Sequence, residues 1–158
     1  MKKHQYQIQV TWTGNLGEGT KDYKSYSRNH EILAEGKSVI HGSSDPSFRG
    51  DPTRYNPEDL FVSTLASCHL LWYLHLCTVN KITVVNYVDQ SVGTMIEKED
   101  GSGAFEEVIL QPNITILEAG KKELAIQLHH QAHEKCFIAN SVNFPVKCEP
   151  TILIKNDD

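Results

Sequence analysis

Two of the four cysteines in the sequence, Cys68 and Cys136, stand where a thiol reaction can use them. Cys68 lies at the middle of a long uncharged segment, and Cys136 ends a shorter amphipathic one. If both segments are helices with buried faces, the two thiols can meet where the helices pack. A buried thiol ionises poorly, so a nearby cation is needed to favour the reactive thiolate. Arg49 and Arg54, in the loop directly before the first segment, are the candidates for that cation.

The competing interpretation of each cysteine is structural. A free cysteine on a helix most often behaves as a small apolar residue that packs in the core. Cys77, near the end of the first helix, and Cys148, in a predicted strand, are interpreted in this way. Cys68 taken alone would be interpreted likewise, and its possible pairing with Cys136 is what favours redox chemistry.

A zinc site is a further alternative. His129, His133 and Cys136 follow one another at spacings of four and three residues on the second helix, which can present ligands to zinc. Such a site needs a fourth ligand from elsewhere in the chain. Histidines near a helix C-terminus are also common on surfaces, because positive charge is favoured there. We therefore rank zinc binding below the redox interpretation.

The long uncharged segment predicts a helix over residues 57–80. Asn56 at the N-cap and Pro57 at the first helical position mark its start, because both suit backbone that lacks intrahelical partners. Glu58 and Asp59 in the first turn complement the positive end of the helix dipole.

The same segment is long enough to cross a membrane. Residues 60–80 contain no Asp, Glu, Lys or Arg, and roughly 20 apolar residues span a bilayer. Polar residues within the run, including Ser67 and His69, and the absence of a basic cluster beside it argue against a membrane span. We expect a buried central helix, apolar on every side and covered by sheet or by a partner chain.

The remaining elements follow from hydrophobic periodicity and turn residues. Residues 121–135 predict a second helix, with apolar residues at four-residue steps from Leu124 to Cys136. Residues 41–58 are too rich in Gly, Pro, Ser and Asp for a regular element and predict a functional loop. Pro112 suits a sheet edge or a bulge. Strands are predicted at residues 6–13, 23–30, 31–40, 82–85, 87–96, 105–117 and 146–154. The first three are expected to form an antiparallel sheet, and the first strand to have one half-buried apolar face.

Length and charge limit the classes of function. The 158 residues fit one domain over residues 1–158, with a core large enough to need no disulfide or metal for folding. A net charge of -5 leaves no basic face for nucleic acid. The first twelve residues alternate polar and apolar side chains and do not form a signal peptide, so we expect a cytoplasmic protein.

Two motifs resemble those of the OsmC/Ohr family of thiol peroxidases. NPEDLFVSTLASCH (residues 56–69) resembles the family's helix start and first cysteine, and AHEKCFIAN (residues 132–140) resembles its second-cysteine motif. The order of elements also fits, so the resemblance covers nearly the whole chain. It implies an α+β, OsmC-like fold, in which antiparallel sheets wrap around two helices, and an intertwined homodimer. Phe137 departs from the family, which often has proline after the second cysteine.

The resemblance also implies the reaction and its residues. Cys68 is the peroxidatic thiol, which a hydroperoxide oxidises to a sulfenic acid, and Cys136 is the resolving thiol, which condenses with it to a disulfide. An external dithiol then resets the protein, and no cofactor is required. Arg49, or as second choice Arg54, is expected to stabilise the thiolate while Glu58 fixes the guanidinium.

The same resemblance leads us to expect substrate contacts from Phe61, His69 and Trp72, together with Arg54. Glu58 and Cys68 lie ten residues apart on one predicted helix, about 15 Å at 1.5 Å per residue. If both belong to one site, they must come from different protomers of a two-fold dimer.

Two other functions stay open from the sequence. One is a non-catalytic module that binds a small molecule in an apolar cleft around Trp72 and Tyr73. The other is the zinc protein that would use His129, His133 and Cys136. A hydroperoxide assay distinguishes the first from a peroxidase, and metal analysis distinguishes the second.

Overall fold

The structure is a computed structural model that describes residues 1–155. The chain forms two compact units, Met1–Leu60 and a second that begins at Phe61. The prediction of a single domain over residues 1–158 is not tested and stays a prediction. Its last three residues lie outside the described part of the chain. The helices and strands are β1 (Gln9–Trp12), β2 (His30–Leu33), β3 (Ile40–Gly42), α1 (Pro57–Val79), β4 (Val84–Asp89), β5 (Val92–Glu97), β6 (Gly103–Leu110), β7 (Pro112–Ile116), α2 (Lys122–Lys135), β8 (Val146–Cys148) and β9 (Thr151–Ile154).

The first unit contains the antiparallel N-terminal sheet that the alternation predicts. β1 pairs with β2, where Val10 lies opposite Ile32, and β2 pairs with β3. The predicted half-buried face of the first strand is wrong for the single chain, since Val10 is 63% exposed and Trp12 is 44% exposed. Trp12 is covered only in part, by an edge-to-face contact with Tyr26. The N-terminal sheet therefore presents apolar side chains to the surroundings.

The strand predicted at residues 23–30 is a turn region up to Asn29, and only His30 belongs to a strand. Arg28 causes the difference. Its guanidinium lies 4.2 Å from the ring centres of both Tyr23 and Tyr26 and donates hydrogen bonds to the carbonyl oxygens of the same two residues. These cation–π contacts and hydrogen bonds hold the segment in a compact loop instead of an extended strand.

The loop before α1 is irregular, as predicted, and is ordered by its own hydrogen bonds. Asp45 caps a short 3₁₀ turn at Pro46–Phe48, and the buried hydroxyl of Ser43 accepts a hydrogen bond from the backbone of Asp51. At the helix start, the side chain of Asn56 accepts from the backbone N–H of Asp59, whose carboxylate accepts from the N–H of Asn56. The predicted N-cap is thus confirmed as a reciprocal capping arrangement.

Helix α1 confirms the predicted span to within one residue, but its burial is one-sided. Leu65, His69, Tyr73 and Leu76 recur every three to four residues and form its buried stripe. Leu71, on another side, is 68% exposed. The expectation that the helix is covered on every side is therefore wrong for the single chain, and cover by a partner chain stays a prediction.

By length and composition, α1 also qualifies as a candidate membrane span, the one such helix among residues 1–155. The core helix of a soluble protein passes the same test, so the match is weak evidence. In the single chain 28% of the tested window is buried, and the stripe from Leu65 to Cys77 packs in the apolar core clusters.

The second unit contains two three-stranded sheets, of order β4-β7-β9 and β5-β6-β8. Each sheet combines an antiparallel pair with a parallel one, because β9 runs parallel to β7 and β8 runs parallel to β6. The expected antiparallel pairing is present in both sheets, and each sheet has one parallel pair in addition. The α+β class is confirmed.

The single strand predicted over residues 105–117 is two strands that belong to different sheets. Asp89 holds the chain at the break, since its carboxylate accepts hydrogen bonds from the N–H of Gln111 and the hydroxyl of Ser91. Pro112 is the first residue of β7, a central strand and not an edge. The first position of a strand tolerates proline because its missing N–H interrupts no ladder there.

Two apolar clusters form the core of the second unit. The larger packs α1 and α2 onto the β4-β7-β9 sheet and includes Tyr73, Ile114 and Leu128, each without exposed surface. The smaller is centred on Leu65, with aromatic side chains packed around it. Both helices are thus fixed to rigid sheets, and they carry the two cysteines singled out above.

Candidate active site

Cys68 and Cys136 are brought together by the two helices of the second unit. Cys68 is half-buried on α1, and Cys136 is the C-cap residue of α2, with 1% of its surface exposed. The backbone N–H of Ala139 donates to the Cys136 sulfur at 3.4 Å. Burial, followed by hydrogen bonding to the Cys68 side chain, raises the pKa of Cys136 to about 11. All four cysteines are free thiols, so this is the reduced form of a potential redox pair.

An aromatic pair lies beside the two thiols. Trp72 is one helical turn beyond Cys68, and its ring makes an edge-to-face contact with Phe137 at 5.8 Å. The ammonium of Lys135 lies 5.9 Å from the Trp72 ring. Phe137 directly follows Cys136 and is 68% exposed. The expected substrate contact of Trp72 stays a prediction, and Phe137 is a neighbour that the sequence analysis did not assign to the site.

His69 does not face a substrate-accessible surface, although it follows Cys68 directly in sequence. It is 1% exposed, and its Nε2 lies 2.9 Å from Nδ1 of His129 on α2. The expected substrate contact of His69 is therefore corrected, because its ring points into the core and is partnered there. The residue instead connects the two helices that carry the thiols.

The cleft expected around Trp72 and Tyr73 does not exist in that form. Tyr73 has no exposed surface, and its ring stacks on His129 with 3.9 Å between ring centres. A shallow depression next to the helix is lined by Leu71, Trp72 and His75 instead. A binding module that depends on Tyr73 is therefore not supported.

Phe61, another expected substrate contact, packs mainly within the protein. Its ring lies 5.1 Å from that of Phe105 and 5.9 Å from that of Phe144, in the smaller core cluster. It also borders a surface depression between α1 and the segment 140–144. The residue anchors the start of the second unit's core, and its contact with substrate stays a prediction.

The three expected charged residues lie in the first unit. Arg49 is exposed at the end of the short 3₁₀ turn, with a left-handed backbone at φ 65°. Arg54 is half-buried and forms an ion pair with Asp51, with 3.6 Å between Nε and the carboxylate. One terminal nitrogen of Arg54, Nη1, is buried without a hydrogen-bond partner. Glu58 is half-buried in the first turn of α1.

The zinc set His129, His133 and Cys136 is not assembled. His129 is turned towards His69, and Cys136 interacts with Cys68. The donor group that converges among the described residues is His69, His129 and Cys148. Helical spacing identified only residues of one helix, whereas these donors come from α1, α2 and β8.

Cys77 and Cys148, both interpreted as structural, have different surroundings. Cys77 is 1% exposed in the larger core cluster, and burial raises its pKa. Cys148 is half-buried at the end of β8, and burial raises its pKa to about 12. Its sulfur lies 3.6 Å from nitrogens of both His69 and His129. No local sequence signal predicts this contact, since Cys148 is 79 residues from His69.

The chain belongs to the OsmC-like protein family, whose model matches residues 50–151. An OsmC-like protein of unknown function from Vibrio cholerae is 32% identical, with a TM-score of 0.84 over 94% of this chain and 99% of that one. The resemblance noted from the two cysteine motifs is thereby confirmed.

More distant solved structures share the fold. An organic hydroperoxide resistance protein from Elizabethkingia anophelis is 20% identical, with a TM-score of 0.66 over 98% of this chain and all (100%) of that one. An organic hydroperoxide resistance protein named OsmC from Legionella pneumophila is 17% identical, with a TM-score of 0.66 over 97% of this chain and 99% of that one. No curated protein matches the chain.

Proposed function

We propose that the protein is a thiol peroxidase that reduces organic hydroperoxides, with Cys68 as the peroxidatic and Cys136 as the resolving thiol. The observation that carries this proposal is the proximity of the two thiols, since Cys68 is close enough to contribute to the raised pKa of Cys136. Family membership supports it, as do two structurally similar proteins that are named for organic hydroperoxide resistance.

The two cysteines differ in a way that suits these roles. Cys136 is almost completely buried, and with a pKa of about 11 it remains a protonated thiol at neutral pH. Cys68 is half-buried and is the member of the pair that a substrate can approach. Because the thiolate is the attacking species, first attack by Cys68 is the order that this asymmetry favours.

The reaction proceeds in three balanced steps. The Cys68 thiolate attacks the distal oxygen of the hydroperoxide, the O–O bond breaks, and the alkoxide takes a proton to leave as an alcohol. Cys136 then attacks the resulting sulfenic acid, which forms the disulfide and releases water. An external dithiol reduces that disulfide by exchange and is itself oxidised. A cytoplasmic location, expected from the sequence, would supply such a dithiol.

The aromatic pair beside the thiols supports an organic substrate. Trp72 and Phe137 place apolar ring surface within one turn of Cys68 and directly after Cys136. Burial of an alkyl or aryl group of a hydroperoxide against such rings favours binding by about 25 cal/mol per Å² of apolar area. Hydrogen peroxide has no apolar group, so its binding is not favoured in this way.

The oxidised protein is predicted to contain a Cys68–Cys136 disulfide, with Cys77 and Cys148 still reduced. The first two thiols already interact, whereas Cys77 is buried in the larger core cluster, where burial raises its pKa. Peptide mapping of the protein after one equivalent of cumene hydroperoxide tests this. Consumption of the hydroperoxide without a disulfide, or a main product that involves Cys77 or Cys148, contradicts the proposed pair.

A homodimer with shared active sites is part of the proposal. Exposed apolar side chains, including Val10 and Trp12 on the N-terminal sheet and Leu71 on α1, are surfaces that a second copy would cover. The continuity of α1 from Pro57 to Val79 keeps Glu58 about 15 Å from Cys68 of the same chain, at 1.5 Å per residue. A carboxylate that acts at the thiol would then come from the partner.

Subunit mixing tests this arrangement. Cys68→Ser and Glu58→Ala proteins are each expected to have low activity, and a mixture of the two should recover part of it. In a mixed dimer, one of the two shared sites contains both native residues. The shared site is contradicted if activity does not recover although mass spectrometry shows that the subunits have exchanged. Full activity of a monomer contradicts it as well. Arg54→Ala and Arg49→Ala in the same assay decide which arginine contributes.

A further inference from the structure

The interior of the second unit contains a group of three metal-ligand side chains that the peroxidase reaction does not use. Nε2 of His69 and Nδ1 of His129 are 2.9 Å apart, and the sulfur of Cys148 is 3.6 Å from each of them. Both histidines are buried and Cys148 is half-buried. Three donor atoms from three separate elements therefore converge on one small space.

The size of this triangle matches a transition-metal ion. The point equidistant from the three atoms lies about 2.0 Å from each of them, whereas zinc takes about 2.0–2.1 Å to nitrogen and about 2.3 Å to sulfur. An ion displaced slightly from the plane of the three donors meets both lengths. That displacement also leaves a fourth, tetrahedral position for water or another small ligand.

The scaffold around the donors is rigid. His69 lies mid-way along α1, His129 lies in α2, and Cys148 ends a strand that is paired with β6. Tyr73 stacks on the ring of His129 and limits its movement. The donors are consequently held by regular elements and not by loops, which favours a preformed site.

A negative charge near the donors also suits a cation. The carboxylate of Asp89 is close enough to act on the Cys148 thiol, and its Oδ2 is buried without a hydrogen-bond partner. A cation here would offset that negative charge and stabilise the Cys148 thiolate.

Without an ion, the two imidazole rings are almost parallel, at 7° between their planes. Nε2 of His69 and Nδ1 of His129, the two inner nitrogens, share a hydrogen bond in which one N–H donates to the other nitrogen. A bound ion takes the place of the hydrogen atom between the two inner nitrogens. The donor ring moves its proton to its outer nitrogen, the rings tilt their lone pairs to the ion, and the Cys148 thiol gives its proton to solvent.

We propose that His69, His129 and Cys148 form a binding site for a borderline-soft divalent metal ion, of which Zn²⁺ is the best match to the two-imidazole, one-thiolate donor set. This site is distinct from the Cys68–Cys136 pair and does not depend on the peroxidase proposal. It also differs from the set His129, His133 and Cys136 that helical spacing suggests.

Cobalt provides the test, because Co²⁺ substitutes for Zn²⁺ and reports its own ligands. Reduced full-length protein, freed of metal with a chelator, is titrated with Co²⁺ and then with Zn²⁺. We expect one ion per chain, visible bands of tetrahedral cobalt, and a thiolate-to-cobalt charge-transfer band that Zn²⁺ abolishes. Absence of saturable binding overturns the proposal and leaves the histidine pair as an internal hydrogen bond.

Matched variants identify the ligands. Cys148→Ser should lose the charge-transfer band, and His129→Gln should weaken binding by about tenfold or more. His133→Gln and Cys77→Ala should bind as the native protein does, because neither residue belongs to the group. Loss of the band in His133→Gln, or its survival in folded Cys148→Ser, overturns the assignment.

A measurement on the native protein covers the case in which a variant fails to fold. Saturation with Zn²⁺ should protect Cys148 from alkylation by at least about tenfold in rate, since coordination removes the free thiolate. Cys68 should be labelled at the same rate with and without Zn²⁺. Equal labelling of Cys148 in both conditions, or protection of Cys68 alone, contradicts the site.

Discussion

Cys68→Ser protein is expected to consume organic hydroperoxide only at the rate of the reaction without protein. Serine at this position cannot be oxidised to a sulfenic acid, and the almost completely buried Cys136 thiol, whose pKa is about 11, does not replace it. Without an added thiol, Cys136→Ser protein should consume one equivalent and then stop or over-oxidise, because the sulfenic acid has no resolving thiol. The measurement is consumption of cumene hydroperoxide, with excess dithiothreitol for Cys68→Ser and without dithiothreitol for Cys136→Ser.

The control for these variants is Cys77→Ala, which removes a buried thiol of the same helix that has no role in the reaction. Its turnover should remain close to that of the native protein. Normal turnover by folded Cys68→Ser protein would show that the peroxidase proposal is wrong. A disulfide between Cys68 and another cysteine in oxidised Cys136→Ser protein would instead retain Cys68 as the attacking thiol and remove Cys136 as its partner.

Tyr73→Ala is expected to lower the free energy of unfolding by about 3–5 kcal/mol, the range for loss of a buried aromatic side chain. Tyr73 has no exposed surface, belongs to the larger core cluster and stacks on His129. Its removal leaves a cavity where α1 packs against α2. The measurement is urea unfolding of the reduced protein, followed by circular dichroism.

Two variants show whether the ring itself is responsible. Tyr73→Phe keeps the ring and removes only the buried hydroxyl, so its stability should stay within about 1 kcal/mol of the native value. Thr78→Ala, at an exposed polar position of the same helix, should change stability by less than about 0.5 kcal/mol. A large loss in Thr78→Ala, or none in Tyr73→Ala, would mean that the buried stripe of α1 is assigned wrongly for the protein in solution.

Local signals in the sequence determined the two helices and the positions of the cysteines on them. The cap formed by Asn56 and Asp59 depends on residues three apart, and the apolar steps up to Cys136 depend on a single helical repeat. Such short-range features are readable because helical geometry alone brings the residues together. The contact of Cys68 with Cys136 was expected for the same reason, since each occupied a buried face of its own helix.

The strands and the interior polar contacts were decided by the tertiary structure. Residues 23–30 alternate acceptably for a strand, yet Arg28 and two tyrosines fold them into a turn. The parallel pairing of β8 and β9 with strands far away in sequence has no local signature. Alternation indicates that a segment is extended, but it does not indicate which strand is its neighbour.

His69 shows most clearly which contacts local sequence patterns do not predict. Its place directly after Cys68 suggested a substrate contact, but neighbours on a helix point about 100° apart, so it faces the core while Cys68 is only half-buried. Its partners His129 and Cys148 are 60 and 79 residues away. The sequence by itself determined that two thiols share a pair of packed helices. Only the packing of those helices on the sheets decided that a second group of donors meets beside them, because long-range contacts depend on how whole elements are arranged.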